Sequence, residues 1–406
     1  MQENTGSSRF SLGKTSLMPQ EEKLETGKRK EKLIIGIPKE NKEFESRVAL
    51  TPEAVELLVG NGHEVIIESG AGLNANYNDT DYSECGGLIL KDRAEVFRSD
   101  IVLKIAPPAI DELDLLKTNA VLISSLQYQN QTEEYIRKLI GKKVTAISFE
   151  GLKDKENCYP VIRSMSEIAG TTSILIAAEY LSNVHNGKGV LLGGVTGITP
   201  TEVIILGAGT AAEYAARAAI GLGAFIKVFD HSIAKLKRLQ LNLGRPLFTS
   251  VFHKRVVEKH LKSADVVIGA MHLGDKGPQF LVTDEMVQKM KKGAVIIDLS
   301  IDQGGCIESS ECRNYSNPSY IKHGVIHYCV PNIASRVART ASIALSNVFN
   351  PLLFNIAEAG GVQKLLKEDL GFRHGVYIYN GILTSASIGN YFGIPSKDID
   401  LLMAAF

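Results

Sequence analysis

The sequence predicts an α/β protein built from two doubly wound parallel sheets. Three observations carry this expectation. Short apolar runs rich in β-branched residues alternate with helical stretches along most of the chain. Two of these runs, Val203–Leu206 and Phe225–Phe229, enclose a glycine-rich turn and an alanine-rich helical stretch. The chain has 406 residues, enough for two large cores.

Taken in order, Lys32–Pro38 (KLIIGIP) reads as the first strand of one sheet. Thr51 is placed to cap a helix over Pro52–Gly60, with Pro52 at its first position. His63–Glu68, Ile101–Ile105, Val121–Leu126 and Val144–Phe149 are further strands, alternating with helices such as Thr132–Ile140. His63 reads as a satisfied structural residue. Ser164–Gly170 opens a long apolar helix reaching about Asn186, a natural connector between domains. Gly187–Ile198 (GKGVLLGGVTGI) then bridges to the second sheet.

In that sheet Ala264–Ala270 and Gly293–Leu299 are buried strands, the latter leading into Ser300–Gly305. His327–Val330 reads as the last strand, followed by Pro331–Arg336. Ala341–Glu358 is a helix crossing back to the first domain, where Pro351 is expected to kink or split it. The tail to Phe406 is expected to pack there as well.

The stretch Val203–Asp230 carries the clearest chemistry. Gly207, Gly209 and Ala212 form G-x-G-x-x-A between two strand patterns. Gly207 makes the tight turn, Gly209 admits a pyrophosphate close to the backbone, and Ala212 lets helix and strand pack closely. The helix N-terminus offers free N–H groups to phosphate. Asp230 stands where a carboxylate accepts from ribose hydroxyls and repels a 2′-phosphate, so NAD is favoured over NADP. His231 beside it is a weak contrary hint.

The remaining totals exclude several classes. The formal net charge is zero, so neither nucleic acid nor an anionic membrane surface is an expected partner. No apolar run reaches the ~18 residues of a membrane span. Residues 1–31 read as a polar extension, expected to be disordered and lacking the apolar core of a secretory signal. The five cysteines form no C-x-x-C pair, which argues for reduced thiols, a cytoplasmic setting and no metal site.

Several motifs together give a resemblance: RVALTP at 47–52, MSEIAG at 165–170, GKGVLLGGVTGI at 187–198, GAGTA at 207–211, IDQGGC at 301–306 and HYCVPN at 327–332. With them the chain from Lys32 to about Phe354 resembles the alanine dehydrogenase and transhydrogenase N-terminal family, closer to alanine dehydrogenase. The resemblance implies two Rossmann-like domains flanking a cleft. The substrate domain would comprise residues 32–160 plus 339–406, and the NAD-binding domain residues 161–338. It also implies a homo-oligomer, hexamer or dimer, and reversible NAD-dependent deamination of L-alanine to pyruvate and ammonia.

By the same resemblance Arg47 is the carboxylate clamp and Asp302 lies at the active centre. Ser166, Thr210, Ala211, Met271, His272 and Asn332 match positions lining the cofactor. A guanidinium suits the first role because it grips a carboxylate bidentately. Asp302 suits the second because it follows a strand at its C-terminal end, with Gly304 and Gly305 beside it.

The match breaks in the substrate half. The family segment K-V-K-E-P reads Lys104-Ile105-Ala106-Pro107-Pro108 here, so Ala106 replaces the substrate lysine and Lys104 is the residue left to compensate. The family histidine after a strand is Gln127, which hydrogen-bonds but carries no proton near neutral pH. Three readings therefore stay open. One is alanine dehydrogenase with Gln127 orienting the carbonyl. The second is a dehydrogenase for another amino or oxo acid on this scaffold. The third is a non-catalytic NAD(H)-binding protein.

Overall fold

The computed structural model describes residues 31–43, 45–271 and 280–405. The expected N-terminal extension falls outside these apart from its last residue. Eight strands form one sheet: β1 (Ile34–Ile37), β2 (Glu64–Glu68), β3 (Leu88–Leu90), β4 (Ile101–Leu103), β5 (Val121–Ser124), β6 (Thr145–Ser148), and, after a long excursion, β14 (Val376–Tyr379) and β15 (Ile382–Leu383). Seven form the other: β7 (Glu202–Leu206), β8 (Phe225–Asp230), β9 (Phe248–Val251), β10 (Val266–Gly269), β11 (Val295–Asp298), β12 (Ser319–Lys322) and β13 (Val325–Tyr328).

The strand orders are β15-β14-β6-β5-β4-β1-β2-β3 and β12-β13-β11-β10-β7-β8-β9. All pairs are parallel except β6–β14, β14–β15 and β12–β13. Each sheet reverses its winding once, between β1 and β4 in the first and between β7 and β10 in the second. Such a reversal opens a crevice at the carboxyl ends of the strands, where ligands bind. The central strands are buried along nearly their whole length, as expected with helices on both faces.

Two helices of 22 residues join the halves. The first, Pro160–Leu181, begins earlier than expected because Pro160 fits the first helical turn. It packs on the helix Thr210–Gly221 so closely that a Cβ on Gly170 would lie 2.2 Å from the carbonyl oxygen of Ala211. The second, Ala338–Ala359, runs unbroken through Pro351, and the expected split does not occur. Phe349, Leu353 and Ile356 on either side are fully buried, and their burial outweighs the ~3 kcal/mol penalty of an interior proline.

The His327–Val330 run is not the last strand. β14 and β15 follow it and extend the first sheet beyond β6. The tail therefore does pack on the first domain, by strand pairing. His63 is satisfied, its Nδ1 accepting from Leu33 N at 3.3 Å. Thr51 occupies the N-cap position without a side-chain capping bond.

Candidate active site

At the crevice of the second sheet, β7 ends at Leu206 and the chain turns through Gly207 into the helix Thr210–Gly221. Gly207 has φ +114°, and a Cβ there would lie 2.4 Å from Ala270 O, so the turn is closed to any side chain. At Gly209 the reverse holds: a Cβ would meet nothing within 4 Å, leaving open space before the first helical turn. Amide groups at such an end have no carbonyl four residues back to bind. The turn therefore fits a pyrophosphate.

Asp230 ends β8 and is buried. Its Oδ2 accepts from Ala208 N and its Oδ1 from Ser232 N, both at 2.7 Å. The carboxylate thus braces the glycine turn, and each oxygen keeps a lone pair for a ribose hydroxyl. Thr210 and Ala211 begin the helix, and Ser166, one turn before Gly170, shares the face of its own helix that meets them. Met271 O accepts from Ser300 Oγ at 2.7 Å, which ties the end of β10 to the segment leading to Asp302. His272 lies outside the described residues.

The loop after β1 carries the other half. Arg47 is buried, and its Nε and Nη2 donate to Glu45 Oε1 and Oε2 at 2.7 and 2.6 Å. Its Nη1 faces only Met165 Sδ, at 3.1 Å, and a thioether is a weak acceptor. Glu45 also accepts from Asn332 Nδ2 at 2.7 Å and Ser335 Oγ at 3.0 Å, which join this loop to the segment after β13. Burial pushes the Glu45 carboxyl up, but the charge and hydrogen bonds of Arg47 more than reverse this and hold it below the ordinary range. Asn332 sits in the left-handed region at φ +59°.

Two serines of the returning helix pin this loop. Ser342 Oγ accepts from Val48 N at 2.9 Å and Ser346 Oγ from Thr51 N at 2.8 Å. The two serines stand one helical turn apart and hold a segment that bends at Ala49 and Leu50.

Lys104 is buried beyond β4, its Nζ 2.5 Å from Glu40 Oε2. Ile105 N donates to Glu40 Oε1 at 2.6 Å. Burial raises the Glu40 carboxyl, and Lys104 offsets only part of that rise. Lys104, Glu45 and Ala106 help line one cavity of about 680 Å³. Gln127 follows β5 in the left-handed region, φ +45° and ψ +51°, and is exposed. Asp302 is exposed in a short 3-10 turn, Ile301–Gln303, beyond β11.

Sequence reasoning missed three acids here: Glu40, Glu45 and Glu150. Glu45 stands two residues before Arg47, and Glu150 stands just past a strand, the placement that singled out Asp302 and Gln127. Nothing local in the sequence marks Glu40 as the partner of Lys104, which lies 64 residues away. Among the described residues no group of His, Cys, Asp and Glu is arranged to hold a metal, and no helix is long and apolar enough to cross a membrane.

Comparison with known proteins agrees along the whole described fold. The family models "Alanine dehydrogenase/PNT, N-terminal domain" and "C-terminal domain" match residues 36–169 and 173–386. The chain is 38% identical to an alanine dehydrogenase of Staphylococcus saprophyticus over 370 residues, 91% of this chain and 99% of that one. It is 36% identical over 368 residues to an alanine dehydrogenase 2 of Staphylococcus aureus, 90% of this chain and 98% of that one.

A solved L-alanine dehydrogenase superposes with a TM-score of 0.83 at 33% identity, covering 89% of this chain and 99% of that one. A transhydrogenase from Sinorhizobium meliloti gives 0.74 at 26% identity, covering 87% and 99%. With both family domains matched in order across two linked doubly wound sheets, the chain belongs to the alanine dehydrogenase/PNT family.

Proposed function

We propose that this protein is an NAD-dependent dehydrogenase that interconverts L-alanine with pyruvate and ammonia. The observation that carries the reading is Arg47. Its guanidinium is buried and held by Glu45, and Nη1 is the nitrogen left to a substrate carboxylate. Asn332 and Ser335, which approach from the nucleotide half, fix the same loop, so the clamp and the cofactor turn are positioned together.

When bound, NAD accepts the hydride from the substrate Cα. The Gly207–Gly209 turn and the helix after it hold the pyrophosphate, and Asp230 accepts from the ribose and disfavours a 2′-phosphate. Ser166, Thr210, Ala211, Met271 and Asn332 line the remainder. Arg47 fixes the carboxylate, which places the Cα. Asp302 exchanges protons with water and amine, and Gln127 orients the carbonyl or imine by hydrogen bonding. Lys104, neutralised by Glu40, contributes its place in the pocket wall. The protein acts in the cytoplasm as a homo-oligomer, hexamer or dimer.

The test uses purified protein with NADH, pyruvate and ammonium, following NADH absorbance, beside a fluorescence titration of NADH. Oxidation that needs both co-substrates and disappears in Arg47→Ala and Asp302→Asn supports the reading. Tight NADH binding without oxidation sinks it. The cavity beside Ala106 favours a second reading, a dehydrogenase for an amino or oxo acid larger than alanine. A panel of 2-oxo acids separates the two.

A further inference from the structure

One half-buried acid of the site is still without a role. Glu150 lies in the 3-10 turn Phe149–Gly151 immediately after β6. β5 and β6 pair in parallel up to Ser124 and Ser148, so Gln127 and Glu150 emerge side by side at the carboxyl edge of the sheet. Glu150 Oε2 lies 3.5 Å from Ser148 Oγ, the last residue of β6. The charges acting on it are those of Asp302 and Arg47. His374, from the segment whose backbone packs on Gly151, is exposed. Arg47 has its fork committed to Glu45.

Burial makes this carboxyl hold its proton above the ordinary range. Asp302 adds to the rise, and Leu126, Arg47 and Ser148 oppose it. A carboxyl shifted upward in this way is suited to both accept and return a proton. Gln127, its neighbour, can do neither.

We propose that Glu150 is the second proton-carrying residue of the reaction, working beside Asp302 where Gln127 cannot. The inference rests on the dehydrogenase reading above. The substrate ammonium first gives a proton to solvent, and loss of hydride from the neutral amine leaves an iminium carbon. The oxygen of a water molecule bonds to that carbon, an O–H bond of the water breaks, and its proton passes to the Glu150 carboxylate. Glu150 then returns the proton to the nitrogen of the neutral carbinolamine. The C–N bond breaks with its electron pair on nitrogen, and ammonia departs. The hydroxyl O–H electrons close the carbonyl, and that proton leaves through Asp302 to solvent.

Glu150→Gln and Glu150→Asp test this, assayed with pyruvate, ammonium and NADH across pH. The wild-type kcat profile should carry an ionisation above the ordinary carboxylate range. Glu150→Gln should lower kcat by about 100-fold or more and erase that ionisation, with NADH affinity unchanged. Glu150→Asp should retain the ionisation at reduced kcat. Wild-type kcat and profile in Glu150→Gln would overturn the proposal, as would loss of NADH binding in both variants, which would make the acid structural. A wild type without turnover would instead remove the dehydrogenase reading itself.

Discussion

Glu45 and Arg47, two residues apart on one loop, close a buried double hydrogen bond, with Nε to Oε1 at 2.7 Å and Nη2 to Oε2 at 2.6 Å. The same carboxylate accepts from Asn332 and Ser335, so one side chain links the clamp to the nucleotide-binding half. Removing one partner of a buried pair leaves the other charge unpaired, at about 3–5 kcal/mol. Glu45→Ala should therefore lower stability by that order in urea unfolding. Where the variant still folds, the KM for the oxo acid should rise more than the KM for NADH.

The two glycines of the nucleotide turn should separate stability from binding. Gly207→Ala forces a side chain against Ala270 O at positive φ, costing about 1–3 kcal/mol of stability together with NADH binding. Gly209→Ala meets open space at φ −83°, so the melting temperature should barely move. NADH affinity should fall at least ~10-fold, because the methyl group occupies the approach to the pyrophosphate. Thermal unfolding and NADH fluorescence, run on both variants, decide the point.

Asp230→Asn keeps the shape but removes the charge that repels a 2′-phosphate. The ratio of NADPH to NADH affinity should rise, measured by competitive titration. Stability should fall by about 1–3 kcal/mol, since an amide keeps one oxygen acceptor for the N–H groups of Ala208 and Ser232 and turns a donor toward the other.

Ser342→Ala leaves the buried N–H of Val48 without its acceptor at 2.9 Å. The expected cost is about 1–3 kcal/mol in urea unfolding. Because Val48 adjoins the clamp, the KM for pyruvate should rise while NADH affinity stays near wild type.

His327 sets an acid limit on stability. Its Nδ1–H donates to Val325 O at 3.0 Å, and Nε2 accepts from Ser309 Oγ at 2.8 Å, an arrangement that fits the neutral ring. Burial pushes its pKa down to about 4. Between the unfolded value near 6.5 and about 4, the unfolded chain binds the extra proton, so stability falls as pH falls through that window. The loss is on the order of 3 kcal/mol, and His327→Gln should flatten this slope in denaturation curves taken from pH 7 to pH 4.

The fold was legible where strands are buried on both faces. The runs containing β1, β5, β7, β10 and β11 each hold at least three consecutive apolar residues because helices cover both sides. β3, β9, β12 and β15 escaped notice because they are sheet edges, short and only partly buried, with no continuous apolar run to mark them. The split expected at Pro351 failed for a tertiary reason: flanking side chains seated in the core hold the helix across one missing hydrogen bond.

The nucleotide turn was readable because its job is done by backbone, which only certain residues permit. The polar half was less so. Lys104 reads in the sequence as the residue left to compensate for Ala106, and its pairing with Glu40 is fixed only when β1 and β4 come together. Distance in sequence likewise hid the link from Glu45 to Asn332 and Ser335, 287 and 290 residues away.

The pairing of β14 with β6 carries a consequence for how the chain is made. Thr145, in β6, and Asn380, just past β14, are bonded across 235 residues of sequence. As the polypeptide leaves the ribosome, the outer edge of β6 stays open until the last strands emerge, by which time every strand of the nucleotide-binding sheet has been synthesised. The half that begins first is finished last. A nascent chain stalled before Val376 would carry a complete nucleotide-binding sheet beside an uncovered strand edge, the kind of surface that chaperones and aggregation compete for.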